Sequence, residues 1–452
     1  MDAGASQLHE KLKSDLAAAK VDFLMASYVD MHGVPKAKIV PLAHLEDMLA
    51  GSEMFTGAAL DGVPQNVNDD EVATYPDAAT CTVLPWRRNV AWFASDLWLK
   101  DAPFEACSRS ILKRQMDDAA SLGFTFNLGI EAEFYVMRED ESGKKTPITT
   151  RKLHKPAYDA ASALDNLDWL GEMVNAMNEI GWDVYSFDQE DGTGQFELDF
   201  AFDNAVTTSD RFVFLRMMAQ QIAARHGSFA TFMPKPFAEM TGSGAHFNMS
   251  FADRKTGQNL FKSDNDPRNC GLSTLGYQFI AGVIRHLPAI CAVVAPTVNS
   301  YKRLVKQGSM SGFTWAPIFA CYGNNNRTNA LRIPMAGGRV ELRAADSSCN
   351  PYLAAAMILA AGLEGVREGL DPGEPNRMNM YEASPAELDR LGIGELPRSL
   401  GEAVEAFEAD PLSSRVMGSL MAKSWADYKK DEWLSYTAHV SDWEVSRYLK
   451  FY

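Results

Sequence analysis

The sequence predicts an α+β fold in which a small, strand-rich N-terminal domain, residues 1–105, precedes one large α/β body, residues 106–452. Three observations predict it. A chain of 452 residues, 46% hydrophobic and 23% charged, is long enough for a large domain and a smaller one around a substantial core. Residues from about Asp15 to Leu97 read as short β segments broken by turns. From "CSRSILKRQMDDAASLG" onward, helical periods alternate with strands.

In the first part, "FLMASYVDMHGVPKAKIVPL" alternates apolar and polar residues around a turn at His32-Gly33-Val34-Pro35. In the second, strands are predicted at "GFTFNLGIEAEFYVM", "FATFMPKP" and "GRVELRAAD". Long helices are predicted at "ALDNLDWLGEMVNAMNEIG", "DRFVFLRMMAQQIAARHG" and "PYLAAAMILAAGLEGV", the last apolar all round and so buried. No apolar run approaches the roughly 18 to 20 residues of a membrane span, and the first thirty residues carry charges where a signal peptide is apolar. The expectation is a cytoplasmic protein with no membrane partner. A formal charge of −16 and a pI near 5.0 argue against nucleic acid as a partner, because phosphate binding needs a basic surface. Cys81, Cys107, Cys270, Cys291, Cys321 and Cys349 form no CxxC pair, which indicates neither a zinc site nor a disulfide framework.

Part of the negative charge sits in mostly uncharged strands. Side chains two apart on a strand share a face, so "GIEAEFYV" places Glu131 and Glu133 together. Two carboxylates about 4 Å apart repel by roughly 4 kcal/mol at an effective dielectric near 20. The pattern recurs: "GAHFNMSF" aligns His246, Asn248 and Ser250, and "GRVELRAAD" aligns Arg339, Glu341 and Arg343. "DQEDGTGQFELDF" sets Glu190 and Glu197 on either side of a Gly192-Thr193-Gly194 turn. Each pair alone also fits a salt-bridged surface strand. The repetition points instead to five carboxylates and one imidazole lining one cavity, a donor set that suits two Mg²⁺ or Mn²⁺ ions. Arg303, Arg327, Arg332, Arg339 and Arg343 add planar forks for carboxylate or phosphate. Metals, carboxylates and arginines together describe phosphoryl transfer from a nucleotide. No Walker A motif or kinase-type glycine loop accompanies them.

With "LDGVPQN", "GIEAEF", "EDGTGQFE", "TFMPKP", "GSGAH", "NSYKRL", "NRTNALRIP" and "VELRAADSSCNPYL" in order, the chain resembles glutamine synthetase from about residue 20 to Tyr452. The resemblance implies a β-grasp N-terminal domain, a catalytic domain whose antiparallel sheet forms an active-site funnel, and stacked rings, commonly a dodecamer, with sites between subunits. It implies ATP and two or more divalent ions as cofactors. Glu133, Glu190 and Glu197 resemble the ligands of one metal, and Glu131, His246 and Glu341 those of the metal that bridges ATP phosphates. Arg339 and Ser250 match nucleotide-contacting positions, Arg303 and Arg343 the positions that hold glutamate's carboxylates, and Gly242 a glycine whose backbone meets substrate. Arg327 matches the arginine that steadies the transferred phosphoryl group, with Arg332 in the same phosphate-binding segment. Asp61 matches the aspartate that a neighbouring subunit inserts to deprotonate the amine.

Three departures from the family pattern stand out. Thr241 stands where many members have an asparagine, and Asn248 where they have a second histidine near the nucleotide phosphates. The longer "KQGSMSGFTWAP" replaces a short flap, leaving Trp315 at the position of the flap glutamate that helps bind ammonium. This makes the amine site more apolar and is similar to the branch of γ-glutamylmethylamide synthetases and type III glutamate–ammonia ligases. The expected reaction is therefore ATP-dependent ligation of L-glutamate with methylamine through γ-glutamyl phosphate. Ammonia-dependent synthesis of glutamine, and ligation of a larger amine or polyamine, are the alternatives. Loss of catalysis would be expected to strip metal ligands, yet all six positions are filled. Whether Tyr381, in "MNMYEASP", is modified is not written in the sequence.

Overall fold

The computed structural model describes residues 3–149, 151, 153–306, 312 and 314–452. Its smaller sheet joins β1 (Phe23–Val29), β2 (Pro35–Pro41), β3 (Met54–Phe55), β4 (Val72–Pro76), β5 (Thr82–Val83), β6 (Val90–Leu99) and β7 (Ala102–Pro103). The order is β2-β1-β6-β4-β3, with β5 and β7 attached to β6. β1 and β2 form the expected hairpin, running from Phe23 opposite Pro41 to Val29 opposite Pro35. Its turn rests on Gly33, at φ 75°, and on Asp30 Oδ1, which accepts the His32 and Val34 N–H groups at 2.9 and 3.0 Å. β1 runs parallel to β6, which gives the mixed sheet of a β-grasp. Ahead of it lies a helix, Ala3–Ala18, that the strand reading did not include.

The larger sheet joins β8 (Phe124–Glu139), β9 (Lys145–Pro147), β10 (Val184–Gln189), β11 (Gln195–Phe200), β12 (Asp203–Asn204), β13 (Phe229–Thr231), β14 (Ala245–Asp253), β15 (Tyr322–Asn324), β16 (Leu331–Ile333) and β17 (Val340–Leu342). The path is β10-β11-β8-β14-β17-β16-β15, with β9, β12 and β13 on β8. Every pairing in it is antiparallel except β15 with β16. Helices Ser108–Ser121 and Ala205–Arg225 pack on β8, and helix Pro351–Glu368 packs on both of them.

Pro351–Glu368 is buried as expected: Asn350 caps it by accepting the Tyr352 and Leu353 N–H groups, and Gly369 ends it at φ 63°. The segment "ALDNLDWLGEMVNAMNEIG" is two helices, Ala160–Asp165 and Leu167–Glu179. The break falls at Asn166, whose amide donates back to Ser162 O at 2.8 Å while its Oδ1 accepts from Trp169 Nε1. Helix Thr274–Val294 corrects the reading of apolar runs. By length and hydropathy it matches a membrane span, and 78% of its most apolar stretch is buried inside the protein. It crosses Pro351–Glu368 at Gly282 and Gly365, where an added Cβ would come within 2.1 Å of the partner helix's backbone.

Candidate active site

Strand register builds the site. In β8, Phe126, Leu128, Ile130, Ala132 and Phe134 are buried in the main core, so Glu131 and Glu133 take the opposite face. β11 places Glu197 across from Glu133, and β14 places His246 across from Glu131. Glu341 of β17 then stands between Asn248 on one side and Arg332 of β16 on the other. Pairwise register alone therefore carries a row of acids across the sheet and ends it in an arginine.

The distances divide this row into two groups. Glu131, His246 and Glu341 each offer a ligand atom within 4.8 Å of the others, and so do Glu133, Glu197 and His246. His246 Nδ1 is 3.2 Å from Glu131 Oε2 and 3.9 Å from Glu341 Oε1, and its Nε2 is 3.6 Å from Glu133 Oε1. The imidazole thus faces both groups, where the sequence reading assigned it to one. Glu190 lines the same cavity but belongs to neither group, its Oε2 accepting the Asp191 N–H at 3.1 Å. Carboxylate oxygens with one imidazole fit Mg²⁺ or Mn²⁺ better than a soft metal.

The charges are not balanced along the row. Burial, then Glu133 and Asp188, pushes the Glu190 carboxyl up to about 8. Burial, then Glu190 and Glu133, lifts Glu197 well above the carboxylate range. Asp188, which β10 places across from Glu197, rises to about 6 through burial and Glu133. Asp199 rises to about 7 through burial, Glu131 and Asp188. At the other end burial would also raise Glu341, yet Arg343, His246 and Arg332 hold it at about 2. Arg332 Nη1 donates to Glu341 Oε2 at 2.5 Å, and Arg343 Nη1 donates to Oε1. Burial raises Glu131 too, but its hydrogen bond with His246 leaves it below its usual value. The side with Glu190 and Glu197 is where added cations are most favoured.

Two cavities flank the row. The first, about 320 Å³, is lined by Glu131, Glu133, Glu190, Glu197, His246, Gly242, Arg303, Arg327, Arg332, Arg343 and Trp315. The second, about 400 Å³, shares Glu131 and takes in Asn248, Ser250 and Arg339. Three of the four expected nucleotide contacts therefore cluster in the second cavity. Arg332 is in the first, held by Glu341 and by Asn325 Oδ1 at 2.8 Å. Arg303 is 4% exposed and donates to Ala344 O at 3.2 Å and Arg343 O at 3.0 Å. Among the described residues neither Arg327 nor Arg339 makes a hydrogen bond or ion pair, so both forks are open toward their cavities. At Gly244 an added Cβ would lie 2.7 Å from Arg303 Nη2 and 2.9 Å from His246 Nε2, so any larger residue would displace the working ends of these two side chains.

Asp61 is exposed on the small sheet's side of the chain and lines neither cavity of its own chain. In the long flap, residues 307–311 and 313 lie outside the described residues. Trp315 is inside them, at φ 57° and lining the first cavity, and its carbonyl accepts Arg343 Nη2 at 3.1 Å. A non-glycine residue in this conformation carries strain that clusters at functional sites. The Tyr381 hydroxyl donates to Ala316 O at 2.8 Å. Sequence reasoning missed Asp188, Asp199, Asp191 and Tyr158, all in or beside the cavities. The same-face rule applied past Glu197 would have found Asp199. The others depend on register or loop geometry.

Residues 105–448 match the glutamine synthetase catalytic domain. The chain belongs to the glutamine synthetase family. A glutamate–methylamine ligase from Methyloversatilis universalis is 41% identical over 435 residues, covering 96% of this chain and 97% of that protein. A glutamine synthetase from Rhizobium leguminosarum bv. phaseoli is 37% identical, covering 95% and 98%. Among solved structures, a GmaS/ADP complex in conformation 1 matches with a TM-score of 0.90 at 36% identity, covering 97% of this chain and 99% of that one. Apo GmaS without ligand matches with a TM-score of 0.88. As a member of the glutamine synthetase family the chain is an ATP-dependent glutamate–amine ligase.

Proposed function

We propose that the chain joins L-glutamate to methylamine through γ-glutamyl phosphate, giving γ-glutamylmethylamide, ADP and phosphate. The observation that carries this choice of amine is Trp315, an indole lining the first cavity where the family pattern has a carboxylate. An indole offers an apolar wall and a π face to an alkylammonium ion. The 41% identical methylamine ligase supports the same reading.

Each residue's part follows from its chemistry. A carboxylate is a poor electrophile, so the γ-carboxylate must first take the phosphoryl group of ATP. Arg303 and Arg343 hold glutamate's carboxylates, and Arg327 with Arg332 neutralises charge on the transferred group. Asn248, Ser250 and Arg339 hold the nucleotide in the second cavity, and Gly242 lets the chain approach substrate. Glu131, His246 and Glu341, with Glu133, Glu190 and Glu197, would hold two Mg²⁺ or Mn²⁺ ions, whose charge screens the phosphates. Methylamine arrives as a cation, its pKa being about 10 or above. Asp61, presented by a neighbouring subunit in a ring assembly, removes its proton. We place the boundary between the two domains at residue 105 and the enzyme in the cytoplasm.

Amine-dependent phosphate release measured with ammonia, methylamine, ethylamine and putrescine tests the reading. A higher kcat/KM for methylamine than for ammonia, compared as total amine at one pH, is expected. Equal or greater efficiency with ammonia assigns glutamine synthesis instead, and release with putrescine alone assigns a polyamine.

A further inference from the structure

Trp315 lines the first cavity from a backbone conformation that an unrestrained tryptophan rarely keeps, with φ at 57°. Freed of restraint, the residue would return to the common range of negative φ, and its Cα–Cβ bond would aim the indole elsewhere. The indole is 41% exposed, so burial alone does not hold it. Its backbone is held through consecutive carbonyls. Arg343, 4% exposed, donates through Nη2 to Trp315 O at 3.1 Å while its Nη1 donates to Glu341 Oε1. The Tyr381 hydroxyl donates to the next carbonyl, Ala316 O, at 2.8 Å. Ala316 is 1% exposed and precedes Pro317, whose ring keeps it out of the helical region. On the other side of the indole, Thr314 donates its hydroxyl to Val305 O at 2.5 Å and lies 3.4 Å from the Tyr381 hydroxyl. Tyr381 itself stands on fixed ground. Asn379 Oδ1 accepts its N–H at 3.1 Å, and the preceding Met380 N–H donates to Thr328 Oγ1 at 3.1 Å. Met380 is fully buried in a small core cluster with Phe319 and Cys321, just past the flap. Tyr381 lines neither cavity, so its reach to the amine is through the flap.

We propose that Tyr381 is a positioning residue for Trp315: by holding Ala316 O, its hydroxyl keeps the flap backbone in the conformation that turns the indole to the first cavity, and so sets the preference for methylamine over ammonia. The assignment rests on the reading of Trp315 as the wall of the amine site. One neutral hydrogen bond is worth roughly 2- to 12-fold in an equilibrium, and that is the scale on which loss of the hydroxyl shifts Trp315 between its held and relaxed conformations. Arg343 still holds Trp315 O in that case, so the preference falls without vanishing.

A double-mutant cycle of Tyr381→Phe, which removes the hydroxyl and keeps the ring, with Trp315→Ala tests this. Tyr381→Phe is expected to lower the methylamine-to-ammonia ratio of kcat/KM by roughly 2- to 12-fold, with the KM for glutamate unchanged and faster amide hydrogen exchange over residues 314–319. In the Trp315→Ala enzyme the same change should leave the ratio where Trp315→Ala alone put it, because the two residues act as one unit. A Tyr381→Phe enzyme whose ratio or exchange matches the native one, while Trp315→Ala changes the ratio, overturns the proposal and leaves the amine wall standing. So does an equal effect of Tyr381→Phe with and without the indole, since Tyr381 would then support the site by another route. A ratio that Trp315→Ala leaves unchanged overturns the reading of the amine wall and the proposal with it.

Discussion

Loading the acidic cavity with Mg²⁺ is expected to release protons at about pH 7.5, roughly three-quarters of one per site from Glu190 and more from Glu197. The perturbation is the metal itself, and the release follows from the local charges. Glu190, at about 8, is roughly three-quarters protonated at that pH. Glu197 is raised in the same direction, by burial and then by Glu190 and Glu133. Glu341, at about 2, and Glu131, below its usual value, have no proton to give. Metal ligation requires the ionised forms, so whatever protons these carboxyls hold must leave. Titration calorimetry in two buffers of different ionisation enthalpy reads the count directly, and Glu197→Gln should lower it. The sign of the pH dependence follows. A carboxyl raised in the folded state binds a proton the unfolded chain has lost, so without metal, stability falls as pH rises from the ordinary carboxylate range through about 8. Metal affinity rises over that window. Tight binding with no proton release would refute the reasoning, because the acids would already be ionised and stabilised by something else.

Three further outcomes are expected. Trp315→Glu should move the preference part of the way from methylamine to ammonia, since a buried methyl contributes about 0.8 kcal/mol by transfer and roughly 1 to 3 kcal/mol in a shaped pocket; the ratio of kcat/KM values for the two amines measures it. Gly244→Ala should lose most turnover, because its Cβ would press on Arg303 and His246 at 2.7 and 2.9 Å. Its melting temperature should fall by only the few degrees that overpacking of about 1 to 3 kcal/mol implies, and native-like turnover would show that the wall can yield. Co-assembly of inactive Asp61→Ala subunits with inactive Glu341→Ala subunits should restore some activity through hybrid sites, and verified mixed rings that stay inactive would remove Asp61 from the neighbour's site.

Much of the site was legible because strands have a period of two. Glu131 with Glu133, and His246 with Asn248 and Ser250, share faces in the structure as the spacing requires. The same rule reached Glu341 but not the partners it acquires, because the contact with Arg332 depends on which residue of β16 lies opposite. Asp188 went unread for that reason: only the β10–β11 register brings it to Glu197. Asp191 and Tyr158 lie in irregular segments, where no period constrains the side chain. Helix Thr274–Val294 escaped because fifteen of its residues are buried, which leaves few polar positions to mark a helical repeat. The segment "ALDNLDWLGEMVNAMNEIG" read as one helix because Asn166 is compatible with a helix; its side chain's bonds to Ser162 and Trp169 accompany the break.

The most direct test of the central claim is one competition. The enzyme is given L-glutamate, ATP and Mg²⁺ with equal total concentrations of methylamine and ammonium, and the products are separated by mass. An indole in place of the flap carboxylate predicts γ-glutamylmethylamide as the main product, formed with one ADP and one phosphate per amide. Glutamine as the main product would contradict the account.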